Sequence, residues 1–376
     1  MAKLGECFSV IRNGASIRQT DGAGGFPITR IETIADKTIN REKFGYAEIY
    51  DLAQYRDYIL QDGDILMSHI NSEKHLGKVA LYSKQDDEQI IHGMNLLMLR
   101  ADTQKVIPEY AKYYFESQKF LRQIGRITKK SVNQASFTVT ALKELEIPLA
   151  SIIVQRDISE KLKKVDWLIS LRKQQLAKLD ELVKARFVEM FGSYPENENA
   201  YPVVNVSDIA DAGVGVVIKP AQYYVTEECG IKAFRSLNIG EMYIKDSDWV
   251  YFSTEGNESN KKSQLHENDL LIVRSGAPGT ACVVTKEFEG CNAVDVIIAH
   301  PDLSKVNPWY LCAYINYPHG KKQIEEGTGG AAQQHFNVGK CNNLKILLPP
   351  LALQNEFAAF VERVDQQKQT VQQSLE

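Results

Sequence analysis

This 376-residue chain repeats itself, and no other feature of it limits the possible folds so strongly. ITRIETI from Ile28 recurs as AFRSLNI from Ala233, which sets Arg30 against Arg235 at an offset of 205 residues. LQDGDILMS from Leu60 matches LHENDLLIV from Leu265 at the same offset, pairing Asp64 with Asp269. IPEYAKYY and NPWYLCAY then align at an offset of 200, and both SFTV with HFNV and Gln155 with Gln354 align at 199. Five matches in one order, with an offset that shrinks slowly as loops shorten, indicate two copies of one module.

Each copy has the same layout. Short β-rich runs (DILMSHI, KVALYS and NLLMLRA; DLLIVRS, TACVVT and AVDVIIA) lie between Gly, Asn and Asp turns. A helix follows around a Pro-x-Tyr element, Glu109 to Phe120 in one copy and Trp309 to Tyr317 in the other. ELEIPL or LKILLPP closes the globular part as a strand, since proline suits a strand end. The expected class is α+β. Mixed α/β domains occupy residues 1–150 and 193–350, and long helices occupy 151–192 and 351–376.

The first long helix carries Ile158, Leu162, Val165, Ile169, Leu176, Leu179 and Val183 in a heptad pattern, with Arg172 filling one gap. Phe357, Val361, Val364, Val371 and Leu375 repeat that seam in the second helix, with Lys368 as its polar interruption. Each apolar stripe needs a partner, and the other helix is the nearest candidate. Connectivity then makes the pair antiparallel, because one helix leads from the first domain to the second and the other leads back. A helix of about 40 residues spans roughly 60 Å. The expected product is a dumbbell with a pseudo-two-fold axis. Two similar but unequal heads suit two unequal ligands, such as duplex half-sites about 34–36 Å apart.

Catalytic motifs are missing. There is no GxxxxGK[ST], so ATP hydrolysis by this chain is not expected. Pro349-Pro350 is flanked by leucines and reads as a strand terminator, and the glycines of DGAGGF (Gly22, Gly24, Gly25) read as a loop. No histidine pair stands at i, i+4 on a predicted helix, which argues against a zinc hydrolase, and no GxSxG elbow occurs. The six cysteines form no CxxC, as expected of reduced cytoplasmic thiols. No apolar run is long enough to cross a bilayer, so no membrane partner is expected. With 44% hydrophobic and 24% charged residues the chain is expected to fold, and its net charge of −4 makes no global case for nucleic acid.

Local charge does. From Ser117 to Lys143 the chain holds Lys119, Arg122, Arg126, Lys129, Lys130 and Lys143 and no acid. The second copy has Lys321, Lys322, Lys340 and Lys345 against Glu325 and Glu326. Such clusters attract phosphate. They lead into KKSVNQAS and GTGGAAQQH, whose Ser131, Asn133, Gln134, Thr328, Gln333, Gln334 and His335 are side chains able to meet base edges. Two further loops follow the apolar strands. SHINSEKHLG contributes Ser68, His69, Asn71 and Lys74, and RSGAPG contributes Arg274 and Ser275. Arg30 and Arg235 complete the candidate DNA-binding set.

Together these features resemble the DNA-specificity subunit of type I restriction–modification systems. The resemblance covers nearly the whole chain and rests on the repeat of domain plus helix, on GDILMSHINSEKHLGKVAL, on GTGGAAQQHFNVGK, and on PPLALQNE with its helix. It implies a non-catalytic ruler on which each head reads half of a bipartite, asymmetric sequence in double-stranded DNA. Two methyltransferase subunits and ATP-dependent restriction subunits would assemble on it, bringing S-adenosylmethionine, ATP and Mg²⁺. The charged faces around Arg172 to Arg186 would meet the methyltransferase subunits. The distal helix departs from the family's pattern: it stops at Glu376, about 15 residues short of its counterpart, so either the chain is truncated or that helix is short. Two alternatives remain: a recognition subunit whose partner is a fused nuclease–methyltransferase, and a coiled-coil protein tether.

Overall fold

The first half of the chain runs β1 (Ala2–Lys3), α1 (Leu4–Cys7), β2 (Phe8–Asn13), β3 (Ile65–Ser68), β4 (Ile70–Asn71), β5 (Val79–Leu81) and β6 (Leu96–Ala101). It continues through α2 (Pro108–Glu116), α3 (Gln118–Ile127), β7 (Lys129–Lys130), β8 (Ala135–Ser136), α4 (Val139–Lys143) and β9 (Glu146–Ile147) into α5 (Ile152–Phe191). The computed structural model describes residues 1–19, 24–131, 134–328 and 335–375. Antiparallel strands in the order β2-β6-β3-β5 form the central sheet of this half. The reason lies in the uninterrupted apolar runs. Ile65 and Met67 of β3 face one core with Leu97 and Leu99, while Leu66 faces another with Leu96 and Met98. A strand buried on both faces has no room for alternating polar residues.

The second half reuses the plan: β10 (Val203–Asn205), α6 (Val206–Ile209), β11 (Ala210–Val214), β12 (Tyr224–Val225), β13 (Ile231–Phe234), β14 (Val250–Phe252), α7 (Thr254–Ser259), β15 (Leu270–Val273), β16 (Ala281–Val283), β17 (Asn292–Ala293) and β18 (Val296–Pro301). Then come α8 (Pro308–Asn316), α9 (Pro318–Thr328), α10 (Val338–Asn342), β19 (Lys345–Leu347) and α11 (Leu351–Gln373). Its central sheet, β11-β18-β15-β16, repeats β2-β6-β3-β5 strand for strand, and β10 with β19 repeats β1 with β9. The turn into the central strand is also shared. Gly63 and Asn268 both have positive φ (85° and 77°), a conformation open to glycine and tolerated by asparagine. The next residue, Asp64 or Asp269, accepts the backbone N–H of Gln61 or His266 at 2.7 Å. A second sheet, β12-β14-β13-β17, is formed in the second half where the described residues of the first half show only isolated bridges, Ile28 with Gly45 and Ile91, and Ile59 with Ile91.

The helix expected over Trp309 to Tyr317 is α8, followed by a further helix α9, whereas the one expected over Glu109 to Phe120 is split into α2 and α3. Ser117 is extended (ψ 147°) and its Oγ caps α3, while Pro318 starts α9. Proline also occupies the first turn of α2 and α8.

The chain divides into two compact units, Met1–Ile169 and Ser170–Glu376, so the division falls inside α5 rather than at its ends. Each unit anchors its long helix by the same glutamine, fully buried in both. Gln155 Oε1 accepts from Ile107 N at 2.9 Å, and its Nε2 donates to the carbonyls of Lys105 and Ala150. Gln354 does the same for Asn307 N, Lys305 and Pro349. Gln155→Ala leaves buried backbone groups without partners, so we expect a loss of about 2–4 kcal/mol, read as a lower denaturant midpoint. A midpoint within error of wild type would refute this role.

In the second unit α5 and α11 pack antiparallel. Arg186 meets Glu356 at 3.2 Å, and Asp180 meets Lys368 at 2.6 Å, with residue numbers rising along one helix as they fall along the other. Phe357, Val361 and Val364 are buried there with Leu179, Val183, Phe187 and Phe191. Val371 is also buried, while Leu375 and Leu176 are half-buried. Lys368, the seam's polar interruption, is therefore held by an ion pair.

The first part of the expected seam is corrected. Ile158 packs on its own domain core, but Leu162, Val165 and Ile169 are 38%, 49% and 36% exposed. Arg172 is exposed and donates to Gln175. The physical reason is length. α11 has 23 residues against 40 in α5, and the antiparallel register uses it up opposite Leu176.

Candidate nucleic-acid interface

In the first unit, β4 accepts β8 as an antiparallel partner, with Ile70 opposite Ser136 and Asn71 opposite Ala135. β8 pairs in turn with β7, setting Lys129 opposite Ser136 and Lys130 opposite Ala135. Two segments read from the sequence as separate loops are thus one three-stranded sheet. Ser131 closes the hairpin, since its N–H and its Oγ both donate to the Gln134 carbonyl at 2.8 Å. Lys130 Nζ lies 2.8 Å from Glu73, beside the exposed Lys74. Lys119, Arg122, Arg126, Lys129 and Gln134 are exposed as well. Lys129, Lys130 and Lys74 thus lie on or beside the small sheet that carries Asn71, and Lys119, Arg122 and Arg126 stand exposed on the helix that leads into it. Asn133 lies outside the described residues.

Ser68 and His69 do not join this surface. Ser68 is 2% exposed, and its Oγ has no hydrogen-bond partner. His69 is 6% exposed, its ring 6.2 Å from that of Phe137. Burial lowers its pKa to about 4, so at neutral pH it offers no charge to a phosphate. Both are corrected to core residues. Ser68 is held inside the central sheet opposite Leu96, and His69 lies against the segment after β8, where Phe137 N donates to the His69 carbonyl at 3.2 Å.

The second unit keeps that tie. Phe336 N donates to the carbonyl of Arg274, the counterpart of His69, at 2.9 Å. The Arg274 guanidinium pairs with Asp295 and donates from Nη2 to His335 Nε2 at 2.7 Å. With Nε2 accepting, His335 Nδ1–H donates to Ser275 Oγ, also at 2.7 Å. Arg274 is only 14% exposed, so it does not present a free fork to a guanine edge. It positions His335 and Ser275, which are the exposed members. Gln333 and Gln334 lie outside the described residues, as does the side chain of Thr328.

Arg30 and Arg235 are half-buried and engaged within their own domains. Each opens a short 3₁₀ turn in which its N–H meets the side chain of Thr33 or Asn238. Arg30 Nε donates to Gln19 Oε1, and Arg235 Nη2 donates to the Asp248 carbonyl. The repeat ITRIETI/AFRSLNI thus marks a structural turn. The second copy's lysines are largely engaged within it: Lys321 with Glu241, Lys345 with Asn205 Oδ1, and Lys340 with the His335 carbonyl. Lys322 is exposed.

Sequence reasoning missed Glu73 and Asp295, the acids that orient Lys130 and Arg274. For Asp295 a signal existed. It aligns with Asn95 at an offset of 200, and both have positive φ (49° and 76°) at the entrance to the last sheet strand.

A duplicated mixed α/β domain with an exposed polar surface in each copy and a long helix between the copies is the architecture of a two-headed recognition protein. Residues 1–181 and 195–376 each match the type I restriction modification DNA specificity domain, and the chain belongs to that family of specificity subunits. It is 31% identical to the putative MjaX specificity subunit of Methanocaldococcus jannaschii, over 96% of this chain and 86% of that one. It is 22% identical to the EcoKI specificity subunit of Escherichia coli K12, over 48% of this chain and 40% of that one. Two solved structures share the fold. One is a type I restriction–modification chain studied for complex assembly and conformational transition, with a TM-score of 0.59 at 17% identity, covering 100% of this chain and 92% of that one. The other is the S subunit from M. genitalium, with a TM-score of 0.56 at 15% identity, covering 99% and 91%. Among the described residues no helix is long and apolar enough to cross a membrane.

Proposed function

We propose that the two domains read the two halves of a bipartite, asymmetric sequence in duplex DNA, with α5 setting the gap between them. One observation carries the reading. In both copies the segment after the apolar sheet strand is tied by the same backbone bond to the segment after the basic helix, Phe137 to His69 and Phe336 to Arg274. That bond brings two distant polar stretches together twice in one chain. The exposed groups differ between copies, a basic hairpin in one and a Ser275–His335 pair backed by Arg274 in the other, as reading two different half-sequences requires.

In this reading the chain is non-catalytic and acts in the cytoplasm. Two methyltransferase subunits would bind S-adenosylmethionine, and restriction subunits would use ATP and Mg²⁺. The likeness to specificity subunits supports these partners, and so does the lack of a P-loop, HExxH or GxSxG motif.

Sequencing the methylated bases in DNA modified by this chain with its methyltransferase partner should give one motif of two short blocks separated by a fixed unspecified gap. An uninterrupted motif would overturn the reading. Lys129→Ala with Lys130→Ala should lower the slope of log K against log salt by about two, because each lost phosphate contact removes about 0.9. An unchanged slope would take the β7–β8 hairpin off the DNA.

A further inference from the structure

The repeat places Asp64 and Asp269 at one position in the fold, yet the two copies surround them differently. Asp64 is closed by a two-toothed ion pair, Arg100 Nε to Oδ1 at 2.8 Å and Nη2 to Oδ2 at 2.7 Å. Gln61 gives it only a backbone N–H. In the second copy the counterparts of Arg100 and Gln61 are His300 and His266. His300 Nδ1 lies 2.6 Å from Asp269 Oδ1, and His266 Nδ1 lies 3.6 Å from Oδ2. The two rings are 5.9 Å apart, and the three potential ligand atoms all fall within 4.8 Å of one another.

We propose that His266, Asp269 and His300 form a site for a divalent transition metal of the zinc class. The first copy shows what a purely structural role for this aspartate requires: one permanent cation and one backbone donor. The second copy keeps the backbone donor, replaces the cation with an imidazole, and adds a second imidazole that the structural role does not need. Asp269 is a carboxylate with a side chain 5% exposed, and an imidazole nitrogen stands beside each of its oxygens. Asp211, cross-strand from His300, is exposed and adds to the negative charge on that side. A divalent cation neutralises that charge.

The donor set suits the ion. Imidazole nitrogen and carboxylate oxygen bind zinc at 2.0–2.2 Å, which places tetrahedral ligands about 3.3 Å apart. The His266–Asp269 distance already matches. The His300–Asp269 hydrogen bond has to open by roughly 0.7 Å as the metal replaces its proton. Three protein ligands leave a fourth position for water. The site lies at the start of β15, whereas Arg274 follows its end, so the metal would pin β15 to β18 rather than touch bases.

The test uses the full chain, stripped with a chelator and then titrated with Zn²⁺ or Co²⁺ by calorimetry and thermal melting. One equivalent should bind and raise Tm, and Co²⁺ should give a tetrahedral absorption band. His266→Gln with His300→Arg rebuilds the first copy's arrangement, so that variant keeps a closed Asp269. It should lose the absorption band and bind Zn²⁺ at least tenfold more weakly. A wild-type Tm indifferent to Zn²⁺, or equal binding by the double variant, would overturn the site.

Discussion

Exchanging residues 1–150 for those of another specificity subunit should replace one block of the methylated sequence and leave the other block unchanged. The first unit has its own cores on both faces of the β2-β6-β3-β5 sheet, and the second unit is built on a separate set of buried residues. The junction tolerates the exchange because Gln155 grips the domain only through the backbone of Lys105, Ile107 and Ala150. Any donor of the same fold offers those groups whatever its side chains. Discrimination should move by about 1–3 kcal/mol for each base pair altered. Methylome sequencing of the chimera reads the result, and a change in both blocks would refute independent reading.

Four residues inserted into α5 between Asp166 and Arg172 should lengthen the gap or abolish binding while both blocks stay readable. The insertion adds about 6 Å and turns the far end by about 40° beyond a full turn. Six ångströms is close to two base pairs of duplex. The site is chosen from the packing. It lies past the Gln155 clamp and before Leu179 and Val183 enter the core shared with α11, so neither anchor is disturbed. Unchanged spacing and unchanged affinity would show that α5 sets no distance.

Much of this architecture could be read from the sequence because it is written in local periodicity. DILMS and DLLIV are apolar without alternation, as strands buried on both faces must be. The Leu179–Val183 and Phe357–Val364 stripes recur at heptad spacing. The seam at Leu162, Val165 and Ile169 has the same pattern yet stands exposed, since a stripe records that a partner would fit and not how far the partner reaches.

The binding surface was less legible. Ser68, His69, Asn71 and Lys74 sit within seven residues and look equally polar, but two are core and two face outward. The difference comes from partners distant in sequence: Ser68 is paired inside the sheet with Leu96 of β6, and the His69 ring packs on Phe137, which arrives more than sixty residues later. Arg274 likewise reads as an open fork until Asp295 and His335 converge on it. The His266–Asp269–His300 cluster escaped every spacing rule, because its third member comes from a different strand.

Amino-acid order alone determined that the chain is a duplicated domain with two long helices, because repeats and hydrophobic periods survive projection onto one dimension. Only the tertiary structure decided which polar groups meet solvent, which arginines are already engaged, and where three ligands converge. Burial and pairing are settled by neighbours distant in sequence, and those neighbours are known only once the chain has folded.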